Sequence, residues 1–154
     1  MATNSAFQWY DKGVKNLNFA GVLTSTLKVA LVYSTYVPDK VNDEFFDVDV
    51  SLDELITLNG YTTGGIELIT KTVTIGLSPG EWRFGSDQPI WTIAGGDVTA
   101  RYWVLYDDTP VSNKPLVGYG LLDDNNVDVT TLDGFLLTIG IPATGWFSTT
   151  KTDG

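Results

Sequence analysis

The sequence predicts a mainly β chain, an antiparallel β-sandwich or jelly-roll-like barrel with a short N-terminal helix packed against it. Three observations carry that prediction. Short runs of apolar, β-branched and aromatic residues recur along the chain, each bounded by Gly, Pro, Asn or Asp. Sixteen Gly and six Pro lie scattered between those runs, which calls for many turns. The densest run, Arg101-Tyr102-Trp103-Val104-Leu105-Tyr106, is apolar on both sides of an extended chain. Tyr102, Val104 and Tyr106 point one way, Trp103 and Leu105 the other, as in a central strand covered above and below.

The 154 residues are expected to form one domain, 1–154, with a helical arm over 1–20 and a polar tail over 148–154. A hydrophobic fraction of 43% against 18% charged residues marks a globular chain and not a disordered one. The formal net charge is −10, nine Lys and Arg against nineteen Asp and Glu. Such a surface repels phosphate backbones, and the cations are dispersed, so no nucleic-acid partner is expected. The acidity serves solubility, or docking onto a basic partner surface. The chain has neither Cys nor His, which removes disulfides, thiolate chemistry, Cys/His zinc sites and imidazole bases. No signal peptide is expected, because Met1-Ala2-Thr3-Asn4-Ser5 lacks a charged region followed by an apolar core. No apolar run reaches the length of a membrane span, so no membrane partner is expected either.

Taken in order, Phe7, Tyr10, Val14 and Leu17 stand at helical spacing, with Ser5 as N-cap, and predict a helix within residues 5–19. Trp9 falls off that stripe. Residues 27–33, LKVALVY, read as the second strong strand, ended by Pro38. The acidic residues 39–59 carry interspersed Phe, Val, Leu and Ile and read as a packed connection over a sheet edge. Ser51 followed by Glu54 matches a capping box for one or two helical turns over 51–58. Asn59-Gly60-Tyr61-Thr62-Thr63-Gly64-Gly65 is turn chemistry. Ile69, Val73 and Ile75 then alternate with Thr70, Thr72 and Thr74 as a half-exposed strand, Lys71 being the exception at an edge or as a snorkelling stem. Residues 81–84, 89–93, 116–122 and 135–141 read as further strands, with a last short one at Trp146-Phe147. Gly118 and Gly120 share a face of their strand and leave a shallow strip where a large ring or another backbone can approach, Trp103 being the expected ring.

No constellation reads as a catalytic, cofactor or metal site. The run 123–128, DDNNVD, alternates oxygen ligands but lacks the Gly and the bidentate Glu of a calcium loop, and reads as a solvated turn. Asp107 and Asp108 would be the acid/base pair of a hydrolase, yet adjacent residues at a strand end face opposite ways and read as turn formers. Gly60 to Gly65 has no following Lys or helix to make a phosphate loop. Trp82 and Trp91 fall in short strands and would form a glycan platform if exposed, although core packing is the commoner fate of a strand Trp.

At Tyr10-Asp11-Lys12, Leu27-Lys28-Val29-Ala30-Leu31-Val32, Gly60-Tyr61-Thr62-Thr63-Gly64-Gly65, Ala100-Arg101-Tyr102-Trp103-Val104-Leu105-Tyr106 and Pro115-Leu116-Val117-Gly118-Tyr119, the chain resembles a group of small virion proteins of tailed bacteriophages. In that group a short helix precedes an IKVALV-like strand, a GYTAGG-like turn, an ARYAVLY-like strand and a PLIGY-like strand. The resemblance implies a virion structural protein without enzymatic activity, a capsid decoration (cement) protein assembled into the particle in the host cytoplasm. Its partners would be the major capsid protein or other virion proteins, and it would be a homo-oligomer. Phe7, Trp9 and Tyr10 are then the expected docking residues. The alternative is a tail or fibre component whose glycan-binding face is built on Trp82 or Trp91.

Overall fold

The computed structural model describes residues 6–17, 21–76 and 78–150. Its centre is an antiparallel sheet of β1 (Gln8–Trp9), β2 (Leu27–Val32), β3 (Ile66–Glu67), β8 (Tyr102–Asp107) and β9 (Leu116–Leu121), in spatial order β1-β9-β8-β2-β3. β2 and β8 pair along their whole lengths, from Leu27 opposite Asp107 to Val32 opposite Tyr102. The alternation read from sequence sorts their side chains as expected. Leu27, Val29, Leu31, Trp103 and Leu105 enter one core, and Ala30, Val32, Val104 and Tyr106 enter another on the opposite face.

The two faces are covered by different means. Over the first lie a three-stranded sheet, β4 (Thr72–Ile75), β5 (Glu81–Gly85) and β12 (Phe147–Thr150), and two ribbons. The ribbons pair β6 (Ile90–Thr92) with β11 (Leu136–Thr138), and β7 (Val98–Ala100) with β10 (Val129–Thr131). Phe84, Trp91, Val98, Leu137, Trp146 and Phe147 of this layer pack onto Trp103 and Leu105. All pairings are antiparallel, and no sheet among the described residues closes into a barrel, so the fold is sandwich-like. Over the second face lie Tyr10, Tyr36, Phe46 and Val50, from the helix region and the acidic segment. Phe46 stacks on Tyr106 with ring centroids 3.9 Å apart and planes 6° from parallel. No helix among the described residues is long and apolar enough to cross a membrane.

Four local expectations are revised. The expected helix over 5–19 is reduced to α1 (Asp11–Asn16), and the residues before it form β1 on the edge of β9. Extended chain lets Phe7 and Trp9 share a face and pack together beside Phe147, which outweighs the helical stripe and leaves Val14 60% exposed. Ser5, the expected N-cap, lies outside the described residues. The expected strand around residues 69–75 is shortened to β4, and the chain before it pairs separately as β3 in the central sheet. Thr70, at φ 52°, turns the corner, held by its hydroxyl on Asp87 and by the Asp87 N–H on the Ile69 carbonyl. Lys71 reaches the carbonyl of Ser25.

The capping box at Ser51 and Glu54 does not form. A wide π-type turn (Phe46–Val50) runs into a single 3₁₀ turn (Ser51–Asp53), Ser51 donates to the Asp47 carbonyl, and Glu54 bridges to Val32 at the edge of β2. The acidic segment thus closes a sheet edge, as expected, and also covers a face. Finally, the tail expected to begin at Ser148 is strand through Thr150, paired from Phe147 opposite Phe84 to Thr150 opposite Glu81. Residues 151–154 lie outside the described residues.

The glycine strip on β9 is occupied as expected. Trp103 stands opposite Gly120 in the β8–β9 register, and a Cβ on Gly120 would fall within its indole, while Phe7 occupies the space over Gly118. Gly13 brings α1 equally close to β9, since a methyl there would sit 2.5 Å from the Val117 carbonyl oxygen. Gly120→Ala is expected to lower the free energy of unfolding by about 1–3 kcal/mol through overpacking. An unchanged urea midpoint would contradict the Trp103 contact.

Candidate functional site

The acidic segment, residues 39–54, is where the chemistry-bearing side chains concentrate, and irregular backbone explains what they do there. Backbone N–H groups outside helices and ladders need acceptors, and short carboxylates supply them. Asp39 accepts the N–H groups of Val41 and Asn42, each at 3.1 Å. Asp43 accepts that of Asp39, and Asp49 accepts those of Glu44 and Phe45 at 2.8 and 2.9 Å. Asp47 reaches across the fold to the N–H groups of Asn113 and Lys114, at 2.9 and 2.8 Å. Burial pushes the Asp47 carboxyl up, but these two bonds and the Lys114 charge outweigh it and hold it below the usual range. Lys12 anchors α1 to the same segment through the Asn42 carbonyl and Glu44.

The apolar residues of this segment divide between inside and outside. Phe46 and Val50 point into the core, whereas Leu52 is 95% exposed and Val41 and Val48, with Val37 and Ile56 just beyond the segment's ends, are also on the surface. The result is a rigidly braced face with apolar side chains standing among carboxylates.

At its end, Glu54 is the one charged residue among the described residues that is buried. Its carboxylate accepts the Tyr61 hydroxyl at 2.6 Å and the Gly64 N–H at 2.5 Å, and the Tyr61 oxygen in turn accepts the Leu31 N–H at 3.0 Å. The Tyr106 hydroxyl donates to the Gly64 carbonyl at 2.7 Å. Gly65, at φ 74°, has no room for a side chain, because a Cβ would strike the backbone of Val29 and Ala30. The Gly-rich turn is therefore a clasp on β2, and the Gly64 amide a phosphate loop would use is already bonded to Glu54. Burial pushes the Glu54 carboxyl up, and the bonds from Tyr61 and Gly64 offset this only in part.

The other carboxylates singled out in the sequence are also engaged within the fold. Asp107 caps the Thr109 N–H, and Asp108 sits between Lys28 at 2.7 Å and Lys114 at 2.6 Å. Burial raises the Asp108 carboxyl, yet the two ammonium groups prevail and hold it low. Asp123 caps Asn125, and Asp128 pairs with Arg101 at 2.8 Å.

Of the expected docking aromatics, Tyr10 has no exposed surface and cannot meet a partner in this fold, and Phe7 and Trp9 are half-buried against Phe147. The expected glycan platform is not assembled. Trp91 is 5% exposed and packs beside Tyr61, whereas Trp82 is 43% exposed on β5, opposite the exposed Ile75 of β4. Sequence reading missed the division of residues 37–56 into buried and exposed apolar side chains, because an irregular segment has no period to reveal it. No protein-family model, curated protein or solved structure matches this chain.

The Glu54 network has a pH signature. A carboxyl raised above its ordinary value of 4.5 contributes stability below that pH, which is lost as pH rises through the folded value. Glu54→Gln keeps an acceptor oxygen and removes the buried charge, so it is expected to be at least as stable as the parent at pH 7. Glu54→Ala leaves Gly64 N–H unpaired and is expected to cost about 1–3 kcal/mol. Urea unfolding at pH 4 and pH 7 reads both, and equal losses for the two variants at pH 7 would contradict this account.

Proposed function

We propose that this chain is a non-enzymatic virion structural protein of a tailed bacteriophage, a capsid decoration protein that binds the shell formed by the major capsid protein and acts as a homo-oligomer. One observation supports it above the others: the segments that carry the resemblance are bonded to one another as framework. The Tyr106 hydroxyl of the ARYWVLY strand holds the carbonyl of Gly64 in the GYTTGG turn, and Tyr61 of that turn holds the Leu31 amide of the LKVALV strand. A signature made of such contacts is the signature of a shared scaffold, not of a set of reacting groups.

The docking face in this reading is the braced acidic cover and not the N-terminal aromatics. Leu52 and Val48 stand exposed among Asp47, Asp49 and Asp53, and the formal net charge is −10. A partner surface with basic side chains around a shallow apolar patch complements that pattern. The second reading is a tail or fibre component, for which the exposed Trp82 ring offers a single stacking surface.

Purified particles are expected to carry the protein in copy numbers that match the symmetry axes of a capsid. A handful of copies per particle would select the tail or fibre reading. Leu52→Asp is expected to reduce retention on particles while leaving the thermal midpoint nearly unchanged, a surface change of about ±0.5 kcal/mol at most. Undiminished retention would contradict the proposed face.

A further inference from the structure

Four tyrosines from separate segments meet on the face that the acidic segment covers, and they form two tiers. Tyr10 and Tyr36 make the lower one and are buried. Their hydroxyl oxygens are 2.5 Å apart, and Tyr36 donates its only proton to Asp43 at 2.7 Å, so Tyr10 is the donor to Tyr36. Tyr102 and Tyr119 make the upper tier and are half-buried. The β8–β9 register sets Tyr102 opposite Leu121 and Val104 opposite Tyr119, which puts the two rings diagonally on one face. Tyr119 rests on Tyr10 with centroids 4.9 Å apart, and Tyr102 meets Tyr36 edge-to-face at 5.9 Å. The upper rings are thus held by a lower pair that is itself locked by hydrogen bonds, the support a preformed binding site requires.

Above them opens a groove of about 390 Å³ lined by Gln8, Pro38, Tyr102, Tyr119, Leu121 and Asn126. That size falls within the range of small-molecule clefts, roughly 300–1,000 Å³. Its chemistry is specific in one respect: among the described residues no charged side chain lines it, and all the polar side chains that do can both donate and accept. Phenol hydroxyls and carboxamides share that property. Neither the Tyr102 nor the Tyr119 hydroxyl has a hydrogen-bond partner among the described residues. Burial, with Tyr102 and Asp43 nearby, pushes the Tyr119 phenol up, so it keeps its proton at neutral pH.

We propose that this groove binds a neutral saccharide. Sugar hydroxyls also donate and accept at once, and the C–H face of a pyranose is apolar enough to lie on a tyrosine ring. The ring would rest on Tyr102 and Tyr119, with hydroxyls bonded to their phenols, Gln8 and Asn126. Among the described residues an acidic sugar would find no cation in the groove, and Asp43 lies close enough to Tyr119 to act on it electrostatically. An extended proline-rich peptide is the rival occupant, since tyrosine-lined grooves also take such segments. Its backbone offers carbonyl acceptors almost alone, which leaves the acceptor sides of Gln8 and Asn126 unmatched.

The test is an amide NMR titration of the full chain with maltose, N,N′-diacetylchitobiose, N-acetylneuraminic acid and a proline decamer, run beside a glycan array. A neutral sugar is expected to shift Gln8, Tyr102, Tyr119, Leu121 and Asn126 saturably, and the acidic sugar is not. Tyr119→Phe keeps the ring and is expected to weaken binding about three- to tenfold through the lost hydroxyl. Leu136→Ala, on β11 in the other layer, is expected to leave affinity unchanged. Silence on the array together with no saturable shift from either neutral disaccharide overturns the proposal. So do shifts centred on Trp82, or saturation of the groove by the proline decamer alone. The proposal is independent of particle binding, and a chain that decorates particles yet takes no sugar refutes it by itself.

Discussion

The fold depends on β2 and β8 being buried on both faces. A strand apolar on one side needs a single partner layer, but one apolar on both needs two, and this chain builds them differently. Short antiparallel ribbons cover the Trp103 and Leu105 side, where alternation lets each strand present one apolar face inward. The Val104 and Tyr106 side is covered by Tyr10 at the start of a six-residue helix, a π-type turn and connecting chain. Such backbone cannot satisfy its own amides, and that need organises the carboxylates.

The charge of the chain therefore has two meanings. In composition it is an excess of ten negative charges. In the structure, Asp39, Asp43, Asp47, Asp49 and Glu54 each accept at least one backbone N–H. Their removal would loosen the cover that seats Phe46 on Tyr106, and with it one face of the central sheet. The same bracing holds Leu52 and Val48 outward on a firm base, and it fixes Tyr36 through Asp43 beneath the tyrosine groove. A face that binds a partner, as proposed, gains from such bracing, because less ordering remains to be done on binding.

Much of the frame was legible because it is local. The density and alternation of residues 27–32 and 102–106 identify two central strands, and the spacing of Gly118 and Gly120 anticipates the seat of Trp103. What was not legible depends on partners distant in sequence or on one dihedral angle. Asp47 bonds the amides of Asn113 and Lys114, and the tyrosine cluster draws on four separate segments. The division of residues 66–75 between two layers hangs on Thr70 adopting a left-handed conformation that its residue type disfavours. Helical spacing in the first twenty residues gave a longer helix than exists, because packing of Phe7 and Trp9 beside Phe147 favours extended chain there.

Two-sided burial of the central pair can be tested by native-state hydrogen exchange with urea titration. Amides of Leu31, Ala30, Val104 and Leu105 should open only with the whole molecule, at a common free energy equal to that of global unfolding. If the amides of β2 and β8 instead exchange by a smaller opening, while those of β5 or β6 stay protected, one face of the central sheet is not covered as described and the account fails.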